Sequence, residues 1–161
     1  MPEVETLVTP ELLERQGKWG EWSEPSFPIS ISDIRKFAIG CYWPEIPPRL
    51  FWDEEFAKTT RWGGIVAPQD FNPFAWPISQ MDQNVTWPGT SQGSKGMNGG
   101  QTDTYGVPMR PGDVIRAHSR VRDWTERISR LGLTMFLFTE VEWRNQKDEI
   151  VRSRVSTGIR Y

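Results

Sequence analysis

The sequence predicts an α+β fold. From residue 101 onward the chain reads as long strands in an antiparallel meander, while the stretches before residue 80 hold short capped helices punctuated by proline. Such a sheet must cover its apolar face, and the only candidates for that cover lie before residue 80, so the expectation is a sheet wrapped on a helix.

The strands are expected at Thr102–Met109, Val114–Trp124, Leu131–Asn145 and Glu149–Tyr161. In the last hairpin the pattern favours a register in which Trp143 faces Val151, Thr139 faces Val155 and Met135 faces Ile159. The other face then sets Glu142 against Arg152 and Glu140 against Arg154, on a solvated or subunit-facing surface. Earlier in the chain, Phe27, Ile29 and Ile31 alternate as in a short strand over Glu24–Ile31. Ser32 can cap a helix in which Ile34, Phe37, Ala38 and Cys41 fall on one face, with Cys41 a buried small hydrophobe. Three prolines, Pro44, Pro47 and Pro48, then exclude a continuous helix. Asp53 caps a helix over Glu54–Thr60 that turns Phe56 and Ala57 inward, and Asp70–Trp76 reads as a short helix interrupted by proline. A Gly- and Ser-rich loop spans 80–100, and residues 1–16 form an N-terminal extension of one 161-residue domain.

Composition narrows the function. Nineteen Lys+Arg against 21 Asp+Glu give a net charge of −2, which argues against a dedicated nucleic-acid binder. One cysteine and one histidine, Cys41 and His118, exclude an internal disulfide and any metal site built on several of either residue. No apolar run is long enough for a membrane helix and no signal-peptide pattern opens the sequence, so a cytoplasmic protein without membrane contact is expected. Nine Trp and eight Phe supply a heavily aromatic interior.

Several segments together carry a resemblance: Ile34-Arg35-Lys36-Phe37-Ala38, Phe51 to Lys58, Arg61-Trp62-Gly63-Gly64-Ile65-Val66-Ala67-Pro68, Asn98-Gly99-Gly100-Gln101, Arg110 to Ile115, and the closing hairpin. In this order and spacing they resemble the N-terminal-type domain of MaoC-like dehydratases and (R)-specific enoyl-CoA hydratases. The resemblance covers the chain from about Gly17 to Tyr161. It implies a hot-dog fold, a curved antiparallel sheet around a central helix beginning near Gln69. It also implies acyl thioesters of coenzyme A or acyl carrier protein as substrates, no separate cofactor, and association with a second hot-dog chain or with another copy of itself.

Hydration of an enoyl thioester needs a base to activate water, an acid to protonate the α-carbon, and backbone donors for the enolate oxygen. Active members of the resembled family place the acid–base pair in Asp-x-Asn-Pro-x-x-His. In this chain the resemblance sets the two positions at Ile46 and Phe51, five residues apart where the motif spans six, and neither side chain transfers a proton. No catalytic residue is therefore assigned. The oxyanion donor of the family maps near Gln69, and Phe51, Ala67, Gln69, Phe71 and Trp76 are the candidate substrate-binding residues. No metal site is expected.

These features favour a subunit of an enoyl-thioester hydratase or 3-hydroxyacyl-thioester dehydratase, the non-catalytic half that shapes the acyl tunnel of a dyad-bearing partner. The alternatives are a self-sufficient enzyme with relocated acid and base, and a non-enzymatic binder of a hydrophobic acyl ligand. His118 shares its strand face with Val114, Arg116 and Arg120, opposite Ile115, Ala117 and Val121, which places it outward or at an interface.

Overall fold

The computed structural model describes residues 5–74 and 93–161. Helix α1 (Pro10–Arg15), helix α2 (Ile31–Tyr42), a single 3-10 turn (Arg49–Phe51) and helix α3 (Glu54–Thr59) precede four strands: β1 (Gly96–Tyr105), β2 (Arg116–Ser129), β3 (Gly132–Arg144) and β4 (Ile150–Arg160). The strands form one antiparallel sheet in the order β1-β4-β3-β2.

Each helix starts on a side-chain cap. Thr9 Oγ1 accepts the Leu12 N–H before α1, and Asp53 accepts the Phe56 N–H before α3. For α2 the cap is Ser30, two residues before the expected Ser32. Ser30 Oγ accepts the Asp33 N–H while Asp33 reaches back to the Ser30 N–H, a reciprocal box that Ser32 has no partner to make. Ile34 and Ala38 are buried on α2, but Cys41 is exposed, because the helix has by then run past the core. On α3 only Ala57 is buried; Phe56 stays 36% exposed, with the Arg49 guanidinium over its ring.

Residues 16–29 form neither helix nor strand. The N–H groups of Gly17, Gly20, Ser23, Ser26 and Ile29 donate to the carbonyls of Val121, Ser119, Ala117, Ile115 and Asp113. Three residues of this strap thus span two residues of chain running from β2 back to Asp113, which is why the alternation over Glu24–Ile31 does not become a strand. Ser23 and Ser26 also accept the N–H groups of Ala117 and Ile115 on their hydroxyls. The strap saturates an edge that would otherwise be open for pairing.

The last hairpin departs from the expected register. Trp143 pairs with Arg152, Val141 with Arg154 and Phe136 with Ile159, whereas Arg144 pairs with Ile150. Val151 is the extra residue at this shift, so it stays in the core while Arg152 and Arg154 turn onto the same inner face as Trp143, Val141 and Leu137. The expected charge pairs are replaced by pairs one strand further out: Glu140 binds Arg120 on β2, and Arg152 and Arg154 bind Asp103 on β1.

Two apolar clusters hold the sheet. Ile29, Ile34, Ala57, Ile65, Ala67, Phe71, Met109, Ile115 and Val151 make the first, and Leu7, Leu12, Val121, Met135 and Leu137 the second. Full burial of such a side chain is worth about 2 kcal/mol, which is how residues 7–15 dock firmly on β2 and β3. Of the expected glycine-rich loop, residues 96–100 belong to β1, and 80–92 lie outside the described residues.

Candidate functional site

Two cavities open side by side on the inner face of the sheet. The first, of about 300 Å³, is an apolar cleft. Its walls come from the end of α2 (Tyr42), the 3-10 turn (Leu50, Phe51), the segment Val66–Gln69, and the last residue of β1 with the chain that follows it, Tyr105–Met109. The Ala67 N–H donates to the Met109 carbonyl at 2.8 Å, which ties the two long walls together. Residues 69 and 70 form a turn closed by the Phe71 N–H on the Pro68 carbonyl at 3.0 Å. Residues 70–74 form no helix, where a short one was expected over Asp70–Trp76: Pro73 offers no N–H to a helical turn, and residues 75 and 76 lie outside the described residues. Among the described residues of this lining, the ionisable groups are the phenols of Tyr42 and Tyr105.

The second cavity, of about 450 Å³, shares Met109 with the first. It is lined by Phe71, Phe74 and Trp143 together with Asp70, Arg152 and Arg154. Arg152 is 7% exposed. Its Nε donates to Asp103 at 3.0 Å, and one terminal nitrogen donates to Asp70 at 3.1 Å. Its guanidinium also lies over the rings of Trp143 and Tyr105, at 5.3 and 5.5 Å. Arg154 grips both Asp103 oxygens, at 2.8 and 3.2 Å. Burial works to raise the Asp103 pKa, but the hydrogen bonds from Arg154 and Arg152 outweigh it and hold the carboxyl at about 2. Asp103 is a fixed anion and no proton donor. Tyr105 donates its hydroxyl to Asp70 at 2.9 Å; that bond, then burial, raises the Tyr105 pKa.

The sole histidine is on the other side of the sheet. His118 is stacked between Trp19 and Trp22, with centroids 4.0 and 3.7 Å away and planes within 10°. Arg116 covers the far side of Trp22 and Arg120 that of Trp19, completing a five-layer stack. The His118 Nε2 lies 3.5 Å from Glu142 Oε1 and is buried without a well-formed hydrogen bond among the described residues. Burial lowers the His118 pKa, opposed by Glu142.

Phe51, Ala67 and Gln69 therefore meet in the apolar cleft, and Phe71 lines the neighbouring cavity. Trp76 lies outside the described residues. Ile46, at the position that resembles the family's aspartate, is 83% exposed on the proline-rich loop and does not line the cleft. The Arg152–Arg154 face, expected at a solvated or subunit-facing surface, lines a cavity. Sequence reasoning also missed Asp103, Tyr105 and Trp143. Their contact with Arg152 depends on strand pairing across distant sequence, and the alternation of β1 alone carries no trace of it.

A model of the FAS1-like dehydratase domain region matches residues 18–154. The chain belongs to this family. Membership bears out the MaoC-like resemblance drawn from the motifs, and the solved structures agree on the fold. A MaoC-like dehydratase from Rhodospirillum rubrum superposes with a TM-score of 0.63 at 19% identity, covering 91% of this chain and 92% of that one. The ChsH1-ChsH2 complex from Mycobacterium tuberculosis gives 0.71 at 14% identity, covering 93% of each chain. A C-terminally truncated HadBC (3R-hydroxyacyl-ACP dehydratase) complex from the same organism gives 0.59 at 18% identity, covering 89% and 96%. The fold of this FAS1-like dehydratase-region chain is the α+β hot dog. No curated protein matches the sequence. None of the helices among its described residues is long and apolar enough to cross a membrane.

Proposed function

We propose that this chain is the non-catalytic half of a heteromeric hydro-lyase acting on enoyl or 3-hydroxyacyl thioesters. Its apolar cleft forms part of the acyl tunnel, and a dyad-bearing hot-dog partner supplies proton transfer. The observation that carries this reading is the separation of the sole histidine from the cleft. His118 is stacked between two indoles on the opposite face of the sheet, while the position resembling the family's histidine holds Phe51 at the cleft wall. The described walls offer two tyrosines for acid–base work, and Tyr105 is tied to Asp70 with its pKa raised, which makes it a poorer acid near neutral pH.

Two similar structures are complexes of two differently named chains, which supports a second chain here. The substrate carrier is coenzyme A or acyl carrier protein, and the work is cytoplasmic. Purified alone, the chain should leave the absorbance of an enoyl-CoA unchanged. Co-expressed with a hot-dog chain containing Asp-x-Asn-Pro-x-x-His, it should copurify and hydrate the enoyl thioester. Mutating the partner's dyad histidine should abolish turnover, and His118→Ala should retain most of it. Full turnover by the isolated chain, lost on His118→Ala, would overturn the assignment.

A further inference from the structure

We propose that Arg152 is a receptor for a carboxylate carried by the ligand, and that Asp70 is a displaceable counter-ion occupying the receptor until the ligand arrives.

On the inner face of the sheet, Asp103 is shared between Arg152 and Arg154, so these three groups carry one negative and two positive charges. Their side chains are 13%, 9% and 27% exposed, and a net positive charge at that depth requires a nearby anion. Asp70 answers it, yet Asp70 differs from the others: its side chain is 70% exposed and it sits on the turn after Pro68, outside the strands. It contributes one oxygen, Oδ1, to both Arg152 and Tyr105. Water can solvate this carboxylate as it leaves, whereas Asp103 has no such exit.

Arg152 is held ready to receive a replacement. Asp103 fixes its Nε, and Trp143 and Tyr105 hold its plane. A guanidinium already ordered loses little entropy on binding, and its planar fork suits a carboxylate. That the cradle accepts a carboxylate is shown by Asp70 itself. The cavity beside it, about 450 Å³, has Phe71, Phe74, Met109 and Trp143 along its walls, room for a hydrocarbon chain behind the charged end. Since Met109 also lines the apolar cleft, one ligand can span both cavities. The ligand class is then an acyl chain ending in a carboxylate, and attaching it to a thioester rests on the function proposed above.

The test separates the two ideas. Sodium hexanoate, its neutral isostere hexanamide and inorganic phosphate are titrated calorimetrically into the full chain at neutral pH. Hexanoate should bind at least about tenfold tighter than hexanamide and tighter than phosphate. Asp70→Asn, which alters an exposed side chain, should strengthen hexanoate binding about tenfold by removing the competitor, and Arg152→Lys should weaken it as the fork is lost. Equal binding of acid and amide, phosphate binding as tightly as hexanoate, or an unchanged affinity in Asp70→Asn would overturn the receptor. The coenzyme A thioesters of adipate (free at its far carboxyl) and of hexanoate are compared next. Preference for the adipoyl thioester supports both ideas. Equal binding of the two overturns the receptor and leaves the thioester reading standing; binding of hexanoate but of neither thioester does the reverse.

Discussion

On the inner face of the sheet, Arg152 lies beside an exposed carboxylate and a cavity; on the outer face of β2, His118 lies between Trp19 and Trp22 with arginines closing both ends of the stack. Both are polar groups with little solvent exposure. They differ in what would have to move for a ligand to reach them. Asp70 can swing into water, whereas reaching His118 means unstacking an indole from a strap held by five backbone hydrogen bonds. Chemical potential alone would have singled out the histidine; access singles out the arginine and the apolar cleft next to it.

The contrast breaks most readily at the backbone. An added Cβ at Gly106 would collide with the Ile150 carbonyl, where the end of β1 crosses close to β4 at the cleft wall. At Gly20, on the strap, an added Cβ would sit 3.3 Å from the Ser119 carbonyl, a tight contact that a small shift relieves. Gly106→Ala should therefore destabilise by roughly 3 kcal/mol and Gly20→Ala by about 1 kcal/mol or less. Chemical denaturation of the two variants measures both. Equal losses would mean that the strap is as rigid as the cleft wall.

Phe51 comes next. It is half-buried and packs on the first apolar cluster, with Tyr42 tilted against it at 6.2 Å. Complete burial would put Phe51→Ala at 3–5 kcal/mol; partial burial lowers the expected loss to about 2 kcal/mol. In a complex with a dyad-bearing partner, the same change should raise KM for the thioester more than it lowers kcat, since Phe51 shapes the cleft without moving a proton. A selective fall in kcat with an unchanged melting temperature would contradict that role.

How much of this was legible in the sequence follows from the range of the interactions involved. Strands β2, β3 and β4 were visible because apolar alternation is local, and Asp53 was visible as a cap because its acceptor role reaches three residues ahead. The inner ion cluster was not visible, because Asp103 and Arg152 are 49 residues apart and meet only through the β1–β4 register. Which face Arg152 presents depends in turn on the β3–β4 register, where Val151, a single extra residue, shifts every following side chain to the other face and leaves no mark in composition. The strap was misread for a different reason. Its period of three against two belongs to neither regular pattern: a strand would put Phe27 and Ile29 on one face, yet Ile29 is buried and Phe27 stays 74% exposed.

The smallest expected effect tests whether the outer stack is as closed as its geometry implies. Burial between the indoles lowers the His118 pKa below its ordinary 6.5, and the nearby Glu142 carboxylate only partly offsets this. The folded chain therefore binds fewer protons than the unfolded chain in the window just below pH 6.5. Stability is fully present above 6.5, declines as pH falls through that value, and levels off once pH passes below the folded-state pKa. With one histidine in the chain, its C2 proton gives a single resolved titration by NMR, and the midpoint should lie below 6.5. His118→Phe keeps a ring between Trp19 and Trp22 but cannot titrate, so the difference in unfolding free energy between wild type and variant should change with pH only in this window. A midpoint at or above 6.5 would show that solvent or Glu142 reaches the imidazole freely, and the outer face would then have to be counted with the inner one as an accessible polar site.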